Sequence, residues 1–319
     1  MTAAMLSIDE VGALSSRVLD EVERAIIGKR DALELILLGI LGRGHVLIED
    51  VPGLGKTLMA RCFSEALGLS FSRVQFTPDL LPSDLTGLSV FDQASGQFDF
   101  RPGPVFTQLL LADEINRTPP KTQAALLEAM AEEQVSSDGE TRPLPQPFVV
   151  LATDNPIEYE GTYALPAAQL DRFLLRVRLG YLATTEEHEL LARRLQRGSA
   201  TPKVSAVIDA DTVLAMRESL ERVTVEPVLL RYVVALVEAT RSHPQVTVGS
   251  SPRGGLAIVA LARGQAMLEG RDYVTPEDVK QVAVPALAHR LSLRPELWVR
   301  RVTGDDVVAE ILDSVPVPR

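Results

Sequence analysis

The sequence predicts an α/β domain built around a largely parallel sheet, followed by an all-helical C-terminal domain. Up to about residue 181, short apolar runs alternate with segments of helical periodicity, which is typical of βαβ units. From about residue 184 onward the strand-like runs stop, and apolar residues recur at helical spacing. With 319 residues the chain is long enough for two domains, so we assign residues 1–183 to the first and 184–319 to the second.

The first domain contains apolar runs that have the length of buried strands. They span residues 45–48, 108–112, 148–153 and 174–179. Two further segments predict β-hairpins inserted into this domain, near residues 89–101 and 135–142. The first would turn at Ser95-Gly96 and the second at Asp138-Gly139, a pair typical of tight hairpin turns.

In the second domain, helical periodicity predicts helices over residues 229–239 and 256–268. Another helix should begin at Pro276, because Thr275 is a good N-cap and proline is favoured at the first helical position. Glu277 and Asp278 follow in its first turn, where the helix dipole favours negative charge.

Composition indicates an ordinary globular protein whose partner is another protein. Apolar residues make up 46% of the chain and charged residues 24%. The net charge of −11 leaves no basic surface for unaided binding to DNA, RNA or an anionic membrane. We therefore expect no nucleic-acid partner.

Cysteine usage and hydropathy point to the cytoplasm. The single cysteine, Cys62, leaves no internal disulfide and fits a reducing compartment. Residues 1–20 lack the basic segment and apolar stretch of a signal peptide. No run approaches the roughly 18 apolar residues of a membrane span, so we expect no membrane segment.

The most specific motif follows the first apolar run and opens a helix that should extend to about Leu67. It reads Pro52-Gly53-Leu54-Gly55-Lys56-Thr57. Backbone N–H groups of such a loop surround phosphate oxygens, Lys56 adds positive charge at the β and γ phosphates, and the Thr57 hydroxyl can bind Mg²⁺. Asp50 stands where the strict pattern has its first glycine, a residue that serves chain geometry more than phosphate contact. The motif predicts a site for Mg²⁺ and ATP.

Two later apolar runs end in polar residues suited to hydrolysis. Asp113 ends one run and can hold Mg²⁺ through water, while the adjacent Glu114 can polarise the attacking water. The run at 148–153 leads into Asp154 and Asn155. Asn155 could orient the water without adding negative charge, although an Asn-Pro pair alone usually marks a turn.

Two arginines occupy positions that suit an approaching anion. Ser251 is an expected N-cap, which places Arg253 in the first turn of a helix, where positive charge is unfavourable unless an anion compensates it. Arg172 lies between a short helix near Pro166 and the run at 174–179, from where it could reach the nucleotide of a neighbouring subunit. The alternatives are a solvated Arg253 and an Arg172 paired with Asp171.

Three segments with these motifs, residues 49–57, 112–123 and 161–173, closely resemble the MoxR family of AAA+ ATPases. The resemblance runs from Ile27-Gly28 into the helical C-terminal part, with the motifs in order and suitably spaced. It implies a P-loop αβα sandwich with a parallel sheet and a helical lid domain. It also implies that Gly28, Asp50 and Leu58 join the loop residues in binding the nucleotide.

The same resemblance implies a role for each polar site residue. Lys56 and Thr57 would form Walker A, Asp113 and Glu114 Walker B, Asn155 sensor 1, Arg172 the arginine finger and Arg253 sensor 2. The hairpins would match the family's inserts in helix 2 and before sensor 1. Because the helix 2 insert accompanies a repositioned lid, Arg253 could serve its own or a neighbour's nucleotide. Asp154 stands where many relatives have glutamine.

By resemblance, the protein would hydrolyse ATP with Mg²⁺ to drive chaperone-like remodelling or maturation of partner complexes. The family suggests a ring, usually hexameric, and a client with a von Willebrand factor A-type domain. One alternative is a nucleotide-gated scaffold with negligible turnover, which the intact Glu114 disfavours. Another is a chelatase-like or DNA-acting motor subunit, which the acidic charge and the scattered histidines disfavour.

Overall fold

The computed structural model describes residues 6–155, 162–199, 202–296 and 302–318. The helices are α1 (Ile8–Glu23), α2 (Arg30–Leu41), α3 (Lys56–Ala66), α4 (Pro82–Thr86), α5 (Pro120–Glu132), α6 (Ala167–Leu170), α7 (Thr184–Arg197), α8 (Ala210–Ser219), α9 (Pro227–Ser242), α10 (Pro252–Leu268), α11 (Pro276–Leu287) and α12 (Gly304–Ser314). The strands are β1 (Val46–Glu49), β2 (Phe71–Gln75), β3 (Gly87–Asp92), β4 (Gln97–Pro102), β5 (Leu109–Asp113), β6 (Gln134–Ser137), β7 (Glu140–Pro143), β8 (Val149–Asp154), β9 (Leu175–Val177), β10 (Val246–Val248) and β11 (Ser292–Leu293).

A five-stranded sheet in the order β2-β5-β8-β1-β9 organises the first domain, and all of its neighbouring strands are parallel. The predicted parallel sheet is therefore confirmed. Strand β2 was not predicted because this edge strand lacks an apolar run: Ser72, Arg73 and Gln75 interrupt its apolar residues. A strand that pairs on one side only tolerates such polar side chains.

Alternate side chains of the strands pack on opposite faces of the sheet. Val46 and Ile48 lie in the core beneath α1, α2 and α3, whereas Leu47 packs with the apolar residues of α5 on the other face. Helical layers therefore cover both faces, as parallel sheets require. The parallel arrangement also gathers the carboxyl ends of the strands at one edge and their amino ends at the other.

Both predicted hairpins are present as antiparallel pairs, β3 with β4 and β6 with β7. Asp138 and Gly139 both adopt positive φ, 54° and 78°, as the tight two-residue turn requires. The hairpins also contact each other, because the Ser89 hydroxyl donates a hydrogen bond to Asp138 and the Arg142 guanidinium lies 3.9 Å from the Phe100 ring centre. They form one surface feature rather than two.

The second domain is helical, as predicted, with one addition. The short antiparallel pair β10–β11 joins two of its loops, and its strands are too short to give a sequence signal. The predicted start of α11 is confirmed: the Thr275 side chain accepts a hydrogen bond from the Asp278 backbone, and the Asp278 carboxylate accepts one from the Thr275 backbone.

The core of the helical part is continuous with one face of the sheet. A single buried cluster contains Val46 of β1, Leu37 of α2 and Leu261 of α10, together with buried residues of α8, α9, α11 and α12. The helical domain is therefore packed onto the sheet domain through a shared apolar core. Helix α7 begins at Thr184, and the boundary between residues 183 and 184 stays a prediction.

We expect Leu261→Ala to lower the free energy of unfolding by about 2–5 kcal/mol, because it leaves a cavity in the shared core. Leu256→Ala in the same helix is the matched control. Leu261 is fully buried while Leu256 is 69% exposed, so the control should cost less than about 0.5 kcal/mol. Urea unfolding measures both values, and equal losses would contradict the shared core.

Candidate functional site

The loop between β1 and α3 presents an open helix N-terminus. Gly53 and Gly55 adopt φ values of 88° and 83°, which glycine adopts without strain. Among the described residues, no atom lies within 4 Å of where a Cβ would stand at either glycine. Gly55 is the N-cap of α3, has no side chain to cap it, and the first turn of α3 carries no acidic residue. The end of the helix can therefore accept an anion.

Lys56 points its ammonium group into the same loop, where Nζ donates a hydrogen bond to the backbone oxygen of Asp50. Burial lowers the pKa of Lys56, whereas the nearby carboxylates of Asp50, Asp113, Asp154 and Glu114 raise it. Lys56 shares these carboxylates with arginines, because Arg73 pairs with Asp113 and Arg117 pairs with Glu114. A divalent cation brought in with a nucleotide would add to the positive charge at this edge.

Asp50 is held by backbone groups on both sides of its carboxylate. Its Oδ1 accepts a hydrogen bond from the Val51 N–H at 2.8 Å, and Oδ2 accepts hydrogen bonds from the Leu179 and Gly180 N–H groups, each at 2.7 Å. The side chain therefore ties the start of the phosphate loop to the segment after β9. The replacement of the usual glycine by Asp50 therefore has a structural reason. Contact between Asp50 and a nucleotide stays a prediction.

Asp113 ends β5 and Glu114 follows it, at the carboxyl edge of the sheet next to the phosphate loop. Asp113 Oδ1 accepts a hydrogen bond from Thr153 Oγ1 at 2.7 Å, and Oδ2 pairs with Arg73 at 2.8 Å. The Glu114 N–H donates to Thr153 Oγ1 at 2.8 Å. Glu114 has φ 58°, an unfavourable value for a residue with a side chain, and such strain is often found at functional sites.

Among the described residues, Gln75 and Arg117 contact the carboxylate of Glu114. Its Oε2 accepts a hydrogen bond from Gln75 Nε2 at 2.8 Å and lies 2.9 Å from Arg117 Nε. Gln75, like Arg73, belongs to β2, and sequence reasoning missed both because it missed that strand. Thr153 was also missed as a site residue, although its position beside Asp113 in the next strand could have suggested it.

Asp154 ends β8, the strand between β1 and β5, and Asn155 follows it. Burial, and then the charge of Glu49, raise the pKa of Asp154 to about 6. Its Oδ1 is buried without a hydrogen-bond partner among the described residues. Asn155 is also buried, and its carbonyl oxygen accepts a hydrogen bond from Asn116 Nδ2 at 3.4 Å. The fold therefore brings Asn155 to the edge that carries Glu114. Pro156, the proline of the Asn-Pro pair, lies outside the described residues.

A mainly apolar cavity of about 420 Å³ opens beside the phosphate loop. Gly53, Leu54, Gly55 and Leu58 form one wall, and residues 25–27 and 180–182 form others. Its volume and apolar lining suit the base of a nucleotide. Gly28 directly follows residues 25–27, which form one of these walls. It has φ 66°, and a Cβ there would collide with the Glu186 carboxylate of α7.

Arg172 and Arg253 lie together, far from the phosphate loop. They share a cavity of about 160 Å³ with His45 and Asp171. His45 precedes β1 and Arg172 precedes β9, so this cavity is at the amino edge of the sheet, whereas the phosphate loop is at the carboxyl edge. Neither arginine is placed to act on a nucleotide in the loop of its own chain.

The local contacts of these arginines are also defined. Arg172 Nη1 donates to the Leu127 carbonyl oxygen, while Asp171 pairs with Arg290 at 2.9 Å, so the described structure does not pair Arg172 with Asp171. Ser251 caps α10 as predicted, since its hydroxyl accepts a hydrogen bond from the Arg253 N–H. Arg253 lies 4.0 Å from Asp171 and is otherwise exposed.

The described residues can supply only part of a metal site. They contain no group of three or more histidine, cysteine, aspartate or glutamate side chains arranged to hold an ion. Mg²⁺ commonly takes one or two protein ligands and completes its shell with water and substrate phosphates, so Thr57 and Asp113 stay the predicted ligands. In the described part of the chain, no helix has the length and apolarity needed to span a bilayer.

Two family models match the chain. Residues 45–175 match the ATPase family associated with various cellular activities, abbreviated AAA, and residues 238–311 match the AAA lid domain. The chain is 44% identical to the uncharacterized protein YeaC of Bacillus subtilis over 97% of each chain. It is 43% identical to the chaperone MoxR1 of Mycobacterium tuberculosis, over 95% of this chain and 82% of that protein.

Similarity extends to a further relative and to a solved structure. The protein MoxR of Methylorubrum extorquens is 33% identical over 93% of each chain. A crystal structure from Cytophaga hutchinsonii, provisionally described as an ATPase, is 39% identical, covers 98% of this chain and 97% of its own, and gives a TM-score of 0.90. The chain belongs to the MoxR family of AAA+ ATPases.

Proposed function

We propose that this protein binds ATP with Mg²⁺ and hydrolyses it to drive chaperone-like remodelling or maturation of partner protein complexes. The observation that supports this most directly is the grouping at the carboxyl edge of the sheet. There an open helix N-terminus and the Lys56 ammonium lie close to Asp113 and Glu114, beside an apolar cavity. Binding and hydrolysis both need this combination.

Each residue at that edge has a proposed part in the reaction. The loop N–H groups and Lys56 hold the phosphates, while Thr57 and Asp113 hold Mg²⁺, which would offset negative charge on the phosphates when bound. Glu114 orients the attacking water and accepts its proton, after exchanging its contact with Gln75 or Arg117 for the water. Asn155 supplies a neutral amide for the same water.

We propose further that catalysis needs a second copy of the chain. Arg172 and Arg253 lie at the amino edge of the sheet, on the far side from their own phosphate loop. In a ring, most simply a hexamer as in the family, they would approach the nucleotide of the neighbouring subunit. This arrangement favours a trans role for Arg253 as well as for Arg172.

The paired hairpins are the proposed contact with the client protein. Phe91 and Phe98 lie on β3 and β4 with ring centres 5.2 Å apart, and they are 50% and 71% exposed. Exposed aromatic side chains are typical of protein-binding surfaces. Closure and reopening of the subunit interface would move this surface against a client, for which a von Willebrand factor A-type domain is our candidate. The cytoplasmic location stays a prediction.

Lys56→Ala should weaken ATP binding by about 10- to 100-fold, because the loop loses its charge-assisted contact with the phosphates. Lys280→Ala is the matched control, since Lys280 pairs with Glu277 on the helical domain. Calorimetric titration with Mg·ATP measures both. Affinity unchanged in Lys56→Ala would contradict nucleotide binding at this loop.

Glu114→Gln should lower the turnover rate by about 10²- to 10⁴-fold, because the amide cannot accept the proton of the water. ATP affinity should stay within about threefold of the wild type, since the change removes no phosphate contact. Glu128→Gln on the exposed face of α5 is the control. If wild type and Glu114→Gln turned over equally slowly, the nucleotide-gated scaffold would be the better description.

Arg172→Ala should lower turnover by about 10³-fold or more while ATP affinity remains, as expected for an arginine acting on a neighbour's nucleotide. Turnover per wild-type subunit should rise with protein concentration and then level off. Mixing Arg172→Ala with Lys56→Ala should restore part of the activity, because the second variant retains its arginines. Undiminished turnover in Arg172→Ala would disprove the trans role; Arg194→Ala on α7 is the control.

A further inference from the structure

A second polar cavity, of about 200 Å³, lies where the helical domain meets the sheet domain. Its walls come from the loop between α2 and β1, from α8 and the turn after it, and from α10. Arg43, Arg217 and Arg263 line it together with one acidic side chain, Glu221. None of its lining residues belongs to the phosphate loop or to the cavity that contains Arg172 and Arg253.

Arg217 is the unusual member of this group, because it is only 4% exposed. Its Nε donates a hydrogen bond at 2.9 Å to the Ile40 carbonyl oxygen near the end of α2. Its Nη2 is buried and has no hydrogen-bond partner among the described residues. Buried charged groups in proteins are nearly always paired and hydrogen-bonded, so a donor left in this state calls for an explanation.

Arg217 differs from the neighbouring arginines in having no ion-pair partner among the described residues. Arg43 forms an ion pair with Glu218, and Arg263 Nη1 lies 2.7 Å from Glu221 Oε2, but no carboxylate pairs with Arg217. Burial lowers the pKa of Arg217 to about 10, which still leaves it charged at neutral pH. The carboxylate of Glu133 acts on Arg217 only through space, so Arg217 has no direct acidic partner among the described residues.

Arg263 contributes a second unused donor. Its Nε is buried and also has no hydrogen-bond partner among the described residues. Arg217 and Arg263 come from different helices, α8 and α10, and both line the cavity. Planar guanidinium groups are the side chains best suited to hold oxyanions such as phosphate.

We propose that this cavity is a binding site for one small oxyanion of the size of inorganic phosphate, held by the guanidinium groups of Arg217 and Arg263. The volume is below the roughly 300–1,000 Å³ of pockets for drug-sized ligands, which excludes a nucleotide. A bound oxyanion would connect α8, α10 and the loop before β1. It would thereby stabilise the junction between the two domains, and inorganic phosphate is also a product of ATP hydrolysis.

The test is equilibrium dialysis with radiolabelled inorganic phosphate, carried out in a Lys56→Ala background so that the phosphate loop contributes little. About one phosphate should bind per chain, and adding Arg217→Met should weaken binding at least about tenfold, because a charged hydrogen bond is lost. Arg231→Met is the matched control. Arg231 is exposed on α9 outside the cavity, so that change should leave the affinity unaltered.

Folding is checked for every variant by circular dichroism. If Arg217→Met does not fold, Arg263→Gln replaces it, and the same loss of phosphate affinity is expected because that change removes the second donor. Phosphate should also raise the Tm of the Lys56→Ala protein relative to chloride at equal ionic strength, and should not do so once either arginine is changed. No binding at about 10 mM phosphate, or binding that survives both changes, would overturn the proposal.

Discussion

The placement of one ammonium group among four carboxylates is the interaction on which the site depends. Lys56 reaches this position because the loop after β1 and the ends of β5 and β8 meet at one edge of a parallel sheet. The acidic residues that would repel the phosphates are the ones proposed to bind Mg²⁺ and to position the attacking water. Nucleotide and Mg²⁺ should therefore bind together.

Sequence patterns predicted those features of the fold and the site that a few adjacent residues determine. The phosphate loop, the turn at Asp138-Gly139 and the cap at Thr275 each depend on a few adjacent residues, and the structure contains all three. The edge strand β2 gave no such signal, because Arg73 and Gln75 interrupt its apolar residues. Their contacts with Asp113 and Glu114 depend on strand order, which no short window of sequence contains.

The direction of the sheet also separates the two kinds of charge used in the proposed reaction. The acidic residues lie at the carboxyl ends of the strands, whereas Arg172 and Arg253 lie near the amino ends. In the proposed ring, a single chain would therefore carry half of one site on each of two opposite edges. The cavity around Arg217 could not be predicted from the sequence either. Helices α2, α8 and α10 meet only through the core that the helical domain shares with the sheet.

Asp50 has a mechanical consequence that a glycine at this position would not have. Its carboxylate joins the first residue of the phosphate loop to the backbone of Leu179 and Gly180, just ahead of α7. If a ligand displaced the loop, these hydrogen bonds would transmit the displacement to the segment that leads into the helical domain. Asp50 would therefore couple the occupancy of the phosphate loop to the position of the segment before α7, which a glycine could not do.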